Sequence, residues 1–464
     1  MRYIPDFVVS LYEKSPIWTK SVYSTFYGLI KSYKESNNIL KNFVDELIDM
    51  QWWDLDKLHQ IQNQRLNRLL VHAYNTVPYY KKIFNEYGLS PLDIKSYLDL
   101  KKLPTLSKNT VRKEFNSLLS DKINLKTIRK EHTSGTTGTP LTIYLDDSTF
   151  LYARAIIKMH HLWAGYTGKE WIGIFSGYKI IPNDRKIPPF WIKNYTNKQI
   201  HFSTYHLNLK NVKSYFHALN DNKIEFLMGY PSSIGLIAKF INELIGIPIY
   251  LKGVFLGSEP IYDWQRENIT KAFKCKIYDY YGQTENIIMA SGCGFTKNLH
   301  LNLESGITEL TKIEENKYNL IGTTLLNYSM PLIRYELNDV TGGFVEENCP
   351  CGRKHTQIKP IETKSEDFII TPNGDYISAS ILTFPFKTPK GIIESQIIQK
   401  SKDQLLINLI INDEFTEVEK QKLIIEINQC LGNNMKIYLN YVASIPRTNN
   451  GKFRFVINET NKTI

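Results

Sequence analysis

Cysteine is scarce. Five residues in 464 cannot build a disulfide framework, so an apolar core must hold the chain together. No uninterrupted apolar run approaches the length of a membrane span. No secretory leader is expected, because Met1 to Ile4 are followed by Pro5 and Asp6 and no apolar stretch ends in a small-residue cleavage site. These absences predict a cytoplasmic protein. There is no Lys/Arg block interleaved with aromatics and no nucleic-acid motif, which argues against DNA or RNA as a partner despite a net charge of +11. The lysines are scattered, so the charge implies only weak attraction to anionic substrates or an anionic membrane surface.

With 42% apolar and 22% charged residues, the composition is that of a globular chain, long enough for more than one domain. Residues 1–75 read as helical. Phe43 to Ile48 repeat at helical spacing, and Leu58, Ile61, Leu66, Leu69, Leu70 and Ala73 form one apolar face. The simplest reading is a helical cap on the main domain. The aromatic segment Tyr23–Ile30 also suits a membrane surface or a partner.

From Ile128 to about Val345, helical and strand patterns alternate, which predicts an α/β domain. A helix is expected from Phe150 to Ala164 and another from about Ser233 to Leu244. Strands are expected at Leu141–Leu145, Ile172–Phe175, Phe226–Ser232 and Gly253–Gly257. Residues 177–200, with Pro182, Pro188 and Pro189, read as a long loop closing over a pocket.

Several stretches carry chemistry. Thr133-Ser134-Gly135-Thr136-Thr137-Gly138-Thr139-Pro140 is rich in glycine and hydroxyls. Its backbone N–H groups can form an anion nest, and Gly135 and Gly138 allow close approach to phosphates. No Gly-Lys-Ser/Thr follows, so it is not a Walker loop. Gly257-Ser258-Glu259-Pro260 ends one strand, and Tyr281-Gly282-Gln283-Thr284-Glu285 ends another. Loops at the carboxyl ends of strands are where open α/β sheets bind ligands. Glu285 is a hard oxygen ligand of the kind Mg²⁺ prefers. Asp339 closes the run from Met330, and Pro446-Arg447-Thr448-Asn449-Asn450-Gly451-Lys452 places a lysine at a glycine turn.

The order of these motifs resembles the adenylate-forming (acyl-AMP) superfamily over about residues 70–460. Val77-Pro78-Tyr79-Tyr80, Leu103-Pro104-Thr105-Leu106-Ser107-Lys108 and Cys349-Pro350-Cys351-Gly352-Arg353 are similar to signatures of its phenylacetate–CoA ligase/CapK branch. The resemblance implies a large N-terminal α/β domain (1–363) and a small C-terminal α+β lid (364–464), hinged at Glu366. It implies ATP held at Thr133, Ser134, Gly135, Thr136, Thr137 and Gly138. The adenine would lie against Gly257, Ser258, Glu259 and Pro260, beside Tyr281 and Gly282. Thr284 and Glu285 would hold the α-phosphate and Mg²⁺, Asp339 the ribose, and Lys452 the charge that develops as pyrophosphate leaves. Tyr230, Pro231, Gly257 and Tyr281 would line the acid pocket. No charge lies there, which favours an apolar or aromatic carboxylic acid. The acyl acceptor would be coenzyme A or another thiol or amine, such as a sugar or carrier. Cys293 and His300 with Cys349 and Cys351 would form a closed structural Zn²⁺ site. Cys275 and Cys430 would pack as small apolar residues.

The chain departs from the family pattern in two places. Thr363-Lys364-Ser365-Glu366-Asp367 has lost the glycine of the hinge motif, and Pro372–Tyr376 is shorter and more polar than a coenzyme A-guiding segment. The expected activity is ATP-dependent, AMP-forming activation of a carboxylic acid. The CapK resemblance suggests a role in capsule or surface-polysaccharide synthesis. The alternatives are a non-catalytic component of a polysaccharide assembly complex and a membrane-surface partner protein.

Overall fold

The computed structural model describes residues 15–35, 38–123, 128–132, 141–362, 368–386, 388–446 and 454–460. The N-terminal helices are α1 (Ile17–Glu35), α2 (Asn38–Met50) and α3 (Leu55–Thr76). Asp54 caps α3 by accepting the Lys57 amide at 2.8 Å. Leu58, Leu66, Leu69, Leu70 and Ala73 are fully buried, packed against Ile287, Leu320 and Tyr335 of the main domain. Each such leucine contributes about 1.5–3 kcal/mol relative to exposure, and together they fix the helical cap. Then come α4 (Pro78–Glu86), α5 (Lys108–Lys113), α6 (Asp147–Trp163), α7 (Val212–Asp221), α8 (Pro231–Leu244) and α9 (Asp263–Phe273).

Strands β1 (Arg129–His132) and β2 (Thr142–Leu145) pair antiparallel. The central sheet begins with β3 (Ile172–Ser176), β4 (Trp191–Asn194), β5 (Gln199–Ser203), β6 (Phe226–Gly229), β7 (Gly253–Gly257) and β8 (Lys276–Tyr281). It continues through β9 (Ala290–Gly292) and β10 (Leu299–Leu301). A separate antiparallel sheet holds β11 (Gly306–Glu314), β12 (Lys317–Thr324) and β13 (Tyr335–Thr341). The short β14 (Phe344–Val345) and β15 (Gln357–Ile358) rejoin the central sheet, whereas β16 (Ile361–Glu362) pairs with β13. The central order is β14-β15-β10-β9-β8-β7-β6-β3-β5-β4, with β5, β3, β6, β7 and β8 parallel.

Residues 177–200 are not simply a loop. They contain β4 and the start of β5, so this segment builds the edge of the sheet. Tandem prolines and lysines mask the strand pattern, and pairing with β3 supplies the order that local propensity does not.

In the smaller C-terminal part, β17 (Ile369–Ile370) and β18 (Tyr376–Ile377) form a ribbon followed by α10 (Ala379–Leu382). Strands β19 (Ile392–Ser401), β20 (Gln404–Ile411), β21 (Lys436–Tyr441) and β22 (Val456–Asn458) pack with α11 (Glu417–Leu431). Their order is β21-β20-β19-β22. Among the described residues, no helix is long and apolar enough to cross a membrane.

Candidate active site

The parallel strands β6, β7 and β8 end side by side. Gly229 lies opposite Leu256, and Gly257 opposite Tyr280. Side chains are small here because backbone crowds in. A Cβ on Gly229 would come within 2.2 Å of the Phe175 carbonyl oxygen, and one on Gly257 within 3.1 Å of that of Tyr280. Tyr230, Pro231, Gly257 and Tyr281 therefore converge on one edge of the sheet.

Two tyrosine–carboxylate pairs stand beyond this edge. Tyr281, at the end of β8, donates its hydroxyl to Asp339 Oδ2 at 2.7 Å. Tyr335, fully buried at the start of β13, donates to Glu285 Oε1 at 3.0 Å. Glu285 is 4% exposed. Burial raises the pKa of both carboxyls. For Glu285, Lys108 opposes that rise most strongly, and for Asp339, the Tyr281 hydroxyl and then Lys108 do so.

Sequence reasoning gave Lys108 no chemical role. It sits at the start of α5, after the N-cap Ser107. Leu106 stitches this segment to β13: its amide donates to the Arg334 carbonyl at 2.8 Å, and its carbonyl accepts the Glu336 amide at 3.0 Å. The Leu103-Pro104 punctuation thus brings a cation near the buried Glu285 and the half-buried Asp339. Nothing local in the sequence signals it.

Glu259 has other partners. Its carboxylate accepts the Ser232 amide at 2.8 Å and the Ser232 hydroxyl at 2.9 Å, at the positive end of the α8 dipole. Burial raises its pKa, and hydroxyls of Ser380, Ser232 and Ser378 oppose the rise. Ser378 and Ser380 belong to the C-terminal part, which therefore lies close to Glu259 at the strand ends. Gly177 is a second point of closure. A Cβ there would come within 2.8 Å of the Phe384 ring and 3.3 Å of the Tyr230 ring. The segment 379–386 therefore covers the end of β3.

Thr133 to Pro140, Glu366 and Lys452 lie outside the described residues. Thr284, Gly282, Ser258 and Pro260 lie on the turns that follow β8 and β7. Ser258 has a φ of 68°, a left-handed conformation unusual for a serine.

A second cluster lies at the other end of the sheet. Cys293 follows β9, His300 is in β10, and Cys349 and Cys351 lie between β14 and β15. Because these strands are neighbours, the four ligand atoms gather within 4.8 Å of one another. Cys293 Sγ is 3.4 Å from Cys349 Sγ, and Cys351 Sγ is 3.4 Å from His300 Nε2. Burial would push the Cys351 thiol up, but the His300 ring and the Arg353 amide bring it down to about 5. Thiolates at bonding distances of about 2.3 Å from one ion lie just under 4 Å apart, so this donor set fits a closed zinc centre. Arg353 lies 3.9 Å over the Trp163 ring and donates to Gln51 Oε1 at 3.0 Å, linking the cluster to α6 and the cap. Cys275 and Cys430 stand apart as free thiols, each pushed up to about 12 by burial.

A large parallel-sheet domain with its site at the strand ends, followed by a small α+β domain, is the adenylate-forming architecture. The crystal structure of 2-hydroxyisobutyryl-CoA ligase with 2-HIB-AMP and CoA shares this fold, with a TM-score of 0.54 at 18% identity over 88% of this chain and 92% of that one. Residues 369–459 match the CapK C-terminal domain. Protein CapK of Staphylococcus aureus is 28% identical over 97% of this chain and 98% of its own length. The phenylacetate-coenzyme A ligase of Thermus thermophilus is 22% identical over 87% of this chain and 96% of its own. The chain resembles the CapK and phenylacetate–CoA ligase branch of the adenylate-forming proteins, a class of AMP-forming ligases.

Proposed function

We propose that the protein joins a carboxylic acid to the α-phosphate of ATP, releases pyrophosphate, and passes the acyl group from the acyl-adenylate to coenzyme A or another thiol or amine. The observation that carries this reading is the pair of carboxylates, buried Glu285 and half-buried Asp339, each held by a tyrosine and both under the charge of Lys108. A buried carboxylate is costly unless a cation or hydroxyl compensates it. A nucleotide with its metal supplies both, since ribose hydroxyls suit Asp339 and Mg²⁺ suits Glu285. When bound, Mg²⁺ would neutralise phosphate charge. The chain's own part is to hold the nucleotide at the strand ends, with Thr133 to Gly138 on the phosphates and Gly257 to Pro260 beside the adenine. Thr284 would position the α-phosphate, and Lys452 would meet the charge that develops between carboxylate and phosphate.

The division into a domain of residues 1–363 and a lid of residues 364–464, pivoting at Glu366, belongs to the same reading. The uncharged Tyr230, Pro231, Gly257 and Tyr281 favour an apolar or aromatic acid. The likeness to Protein CapK supports a setting in capsule or surface-polysaccharide synthesis. In the cysteine–histidine cluster, zinc would pin the loop after β9 to the turn before β15 and take no part in catalysis.

Pyrophosphate release with Mg-ATP across a panel of carboxylic and amino acids, with and without coenzyme A, tests the proposal. Release with one acid names the substrate class, and its dependence on coenzyme A names the acceptor. Absence of release with every acid, together with absence of ATP binding, overturns the reading.

A further inference from the structure

Tyr335 reaches Glu285 from the end of an irregular run. The ladder between β12 and β13 stops at the pair Gly322–Tyr335, and residues 330–333 before it form no strand although they are buried. Buried backbone outside a ladder still needs partners for its polar groups, and other parts of the chain supply them. Asn327 Nδ2 donates to the Met330 carbonyl at 3.0 Å. The Thr324 amide donates to the Leu332 carbonyl at 3.0 Å. The Arg334 amide donates to Thr323 Oγ1 at 2.9 Å. The buried hydroxyl of Tyr80, in α4, performs two of these tasks: it donates to the Pro331 carbonyl and accepts the Ile333 amide, each at 2.9 Å.

Arg334 fixes the last step before the strand. Its φ of 54° is left-handed, a costly conformation for a bulky residue that persists only where the surroundings impose it. The guanidinium imposes it. Nε donates to Glu309 Oε1 and Oε2 at 3.2 and 3.1 Å, Nη2 lies 2.9 Å from Glu309 Oε1, and Nη1 donates to the Leu103 carbonyl. The next residue is Tyr335, fully buried, with its hydroxyl on Glu285 Oε1 at 3.0 Å. The left-handed turn therefore sets the direction in which Tyr335 enters β13.

A regular strand over 330–334 would satisfy the same backbone with neither a buried hydroxyl nor a left-handed arginine. Strained backbone that the surroundings over-determine is characteristic of functional sites, and this run ends on the tyrosine that holds Glu285. We propose that Tyr80 and Arg334 are positioning residues of the nucleotide site: they hold residues 331–335 on the irregular path that delivers the Tyr335 hydroxyl to Glu285, and so fix the carboxylate against which Mg-ATP binds. The inference rests on the reading of Glu285 as the Mg²⁺ ligand, and it gives the Val77-Pro78-Tyr79-Tyr80 stretch a part in that site.

Calorimetric titration of the full chain with a non-hydrolysable ATP analogue, with and without Mg²⁺, reads the gain in affinity that the metal provides. Tyr80→Phe keeps the ring and removes the hydroxyl, and Arg334→Lys keeps the charge and removes the fork. Each should cut the Mg²⁺-dependent gain at least about threefold, less than the roughly tenfold loss on removing a direct partner of a metal ligand, and leave affinity for the metal-free analogue at the parent's value. Glu285→Gln should abolish the gain, and adding Tyr80→Phe to it should cost nothing further. A merely structural tyrosine and arginine would lower the melting temperature and leave the gain intact. That result, with the gain lost in Glu285→Gln, overturns this inference and leaves the reading of Glu285 standing. A further loss in the double variant equal to that of Tyr80→Phe alone overturns it as well. An undiminished gain in Glu285→Gln overturns both.

Discussion

Tyr281 and Asp339, 58 residues apart in the chain, share a hydrogen bond of 2.7 Å that joins the end of β8 to β13. The bond fixes a half-buried carboxylate beside the end of β8. If Asp339 reads a ribose, Tyr281→Phe leaves it without its donor. Affinity for a non-hydrolysable ATP analogue should fall about 5- to 30-fold, the equivalent of one hydrogen bond to a charged group at about 1–2 kcal/mol. Calorimetric titration checks this, and unchanged affinity would remove Asp339 from the nucleotide site.

Lys108 lowers the pKa of Glu285 and Asp339 against the rise that burial imposes. Without it both pKa values climb further, so the ionised pair exists only at higher pH. In Lys108→Met the acid limb of the pH profile of kcat/KM should move to higher pH, and Lys108→Arg should restore most of the shift. A merely structural lysine would change stability and leave the limb in place.

The cysteine–histidine cluster should hold zinc in stoichiometric amount. Cys349→Ser should abolish retention of zinc through dialysis and lower the melting temperature, because metal binding to a folded site is folding free energy. Cys275→Ser should do neither. Elemental analysis and a thermal melt read both. Full zinc retention in Cys349→Ser would contradict the assignment.

Acid sensitivity should come partly from histidines buried in the neutral form. Burial pushes His160, whose Nε2 lies 2.8 Å from the Gly292 carbonyl, and His206 down to about 4. The folded pKa lies below the unfolded value of about 6.5. The stability each ring contributes is therefore present above that value and is lost as pH falls toward 4. Between pH 7.5 and 5, each such ring should cost about 2 kcal/mol. Asp279 runs the other way, since burial lifts its pKa to about 6, so lowering the pH favours its folded form. His160→Gln keeps a donor for Gly292 without titrating, and should flatten the pH dependence of urea stability by about that amount. An equally steep profile in the variant would be the contrary result.

Much of the site was legible because its parts are local. A strand pattern running into Tyr-Gly-Gln-Thr-Glu or Gly-Ser-Glu-Pro announces β8 and β7 and where they end, and the spacing of Cys349 and Cys351 announces two members of the cluster with Cys293 and His300. What was hidden depends on contacts across the chain. Lys108 matters only because Leu106 bridges to β13. The hydrogen bonds that Ser232 gives Glu259 also cross the chain, from the start of α8 to the turn after β7, and no local pattern announces them. The strands β4 and β5 are hidden because Pro188 and Pro189 punctuate their approach, and only the pairing of β5 with β3 and of β4 with β5 makes them regular.

Acid-dependent exchange of pyrophosphate into ATP, comparing the parent with Lys452→Ala, tests the central claim most directly. The exchange reports acyl-adenylate formation whatever the final acceptor. The account predicts exchange with at least one carboxylic acid and a loss of at least about 100-fold in the variant, with ATP binding and the thermal melt preserved. Exchange at the parent's rate in Lys452→Ala would contradict it.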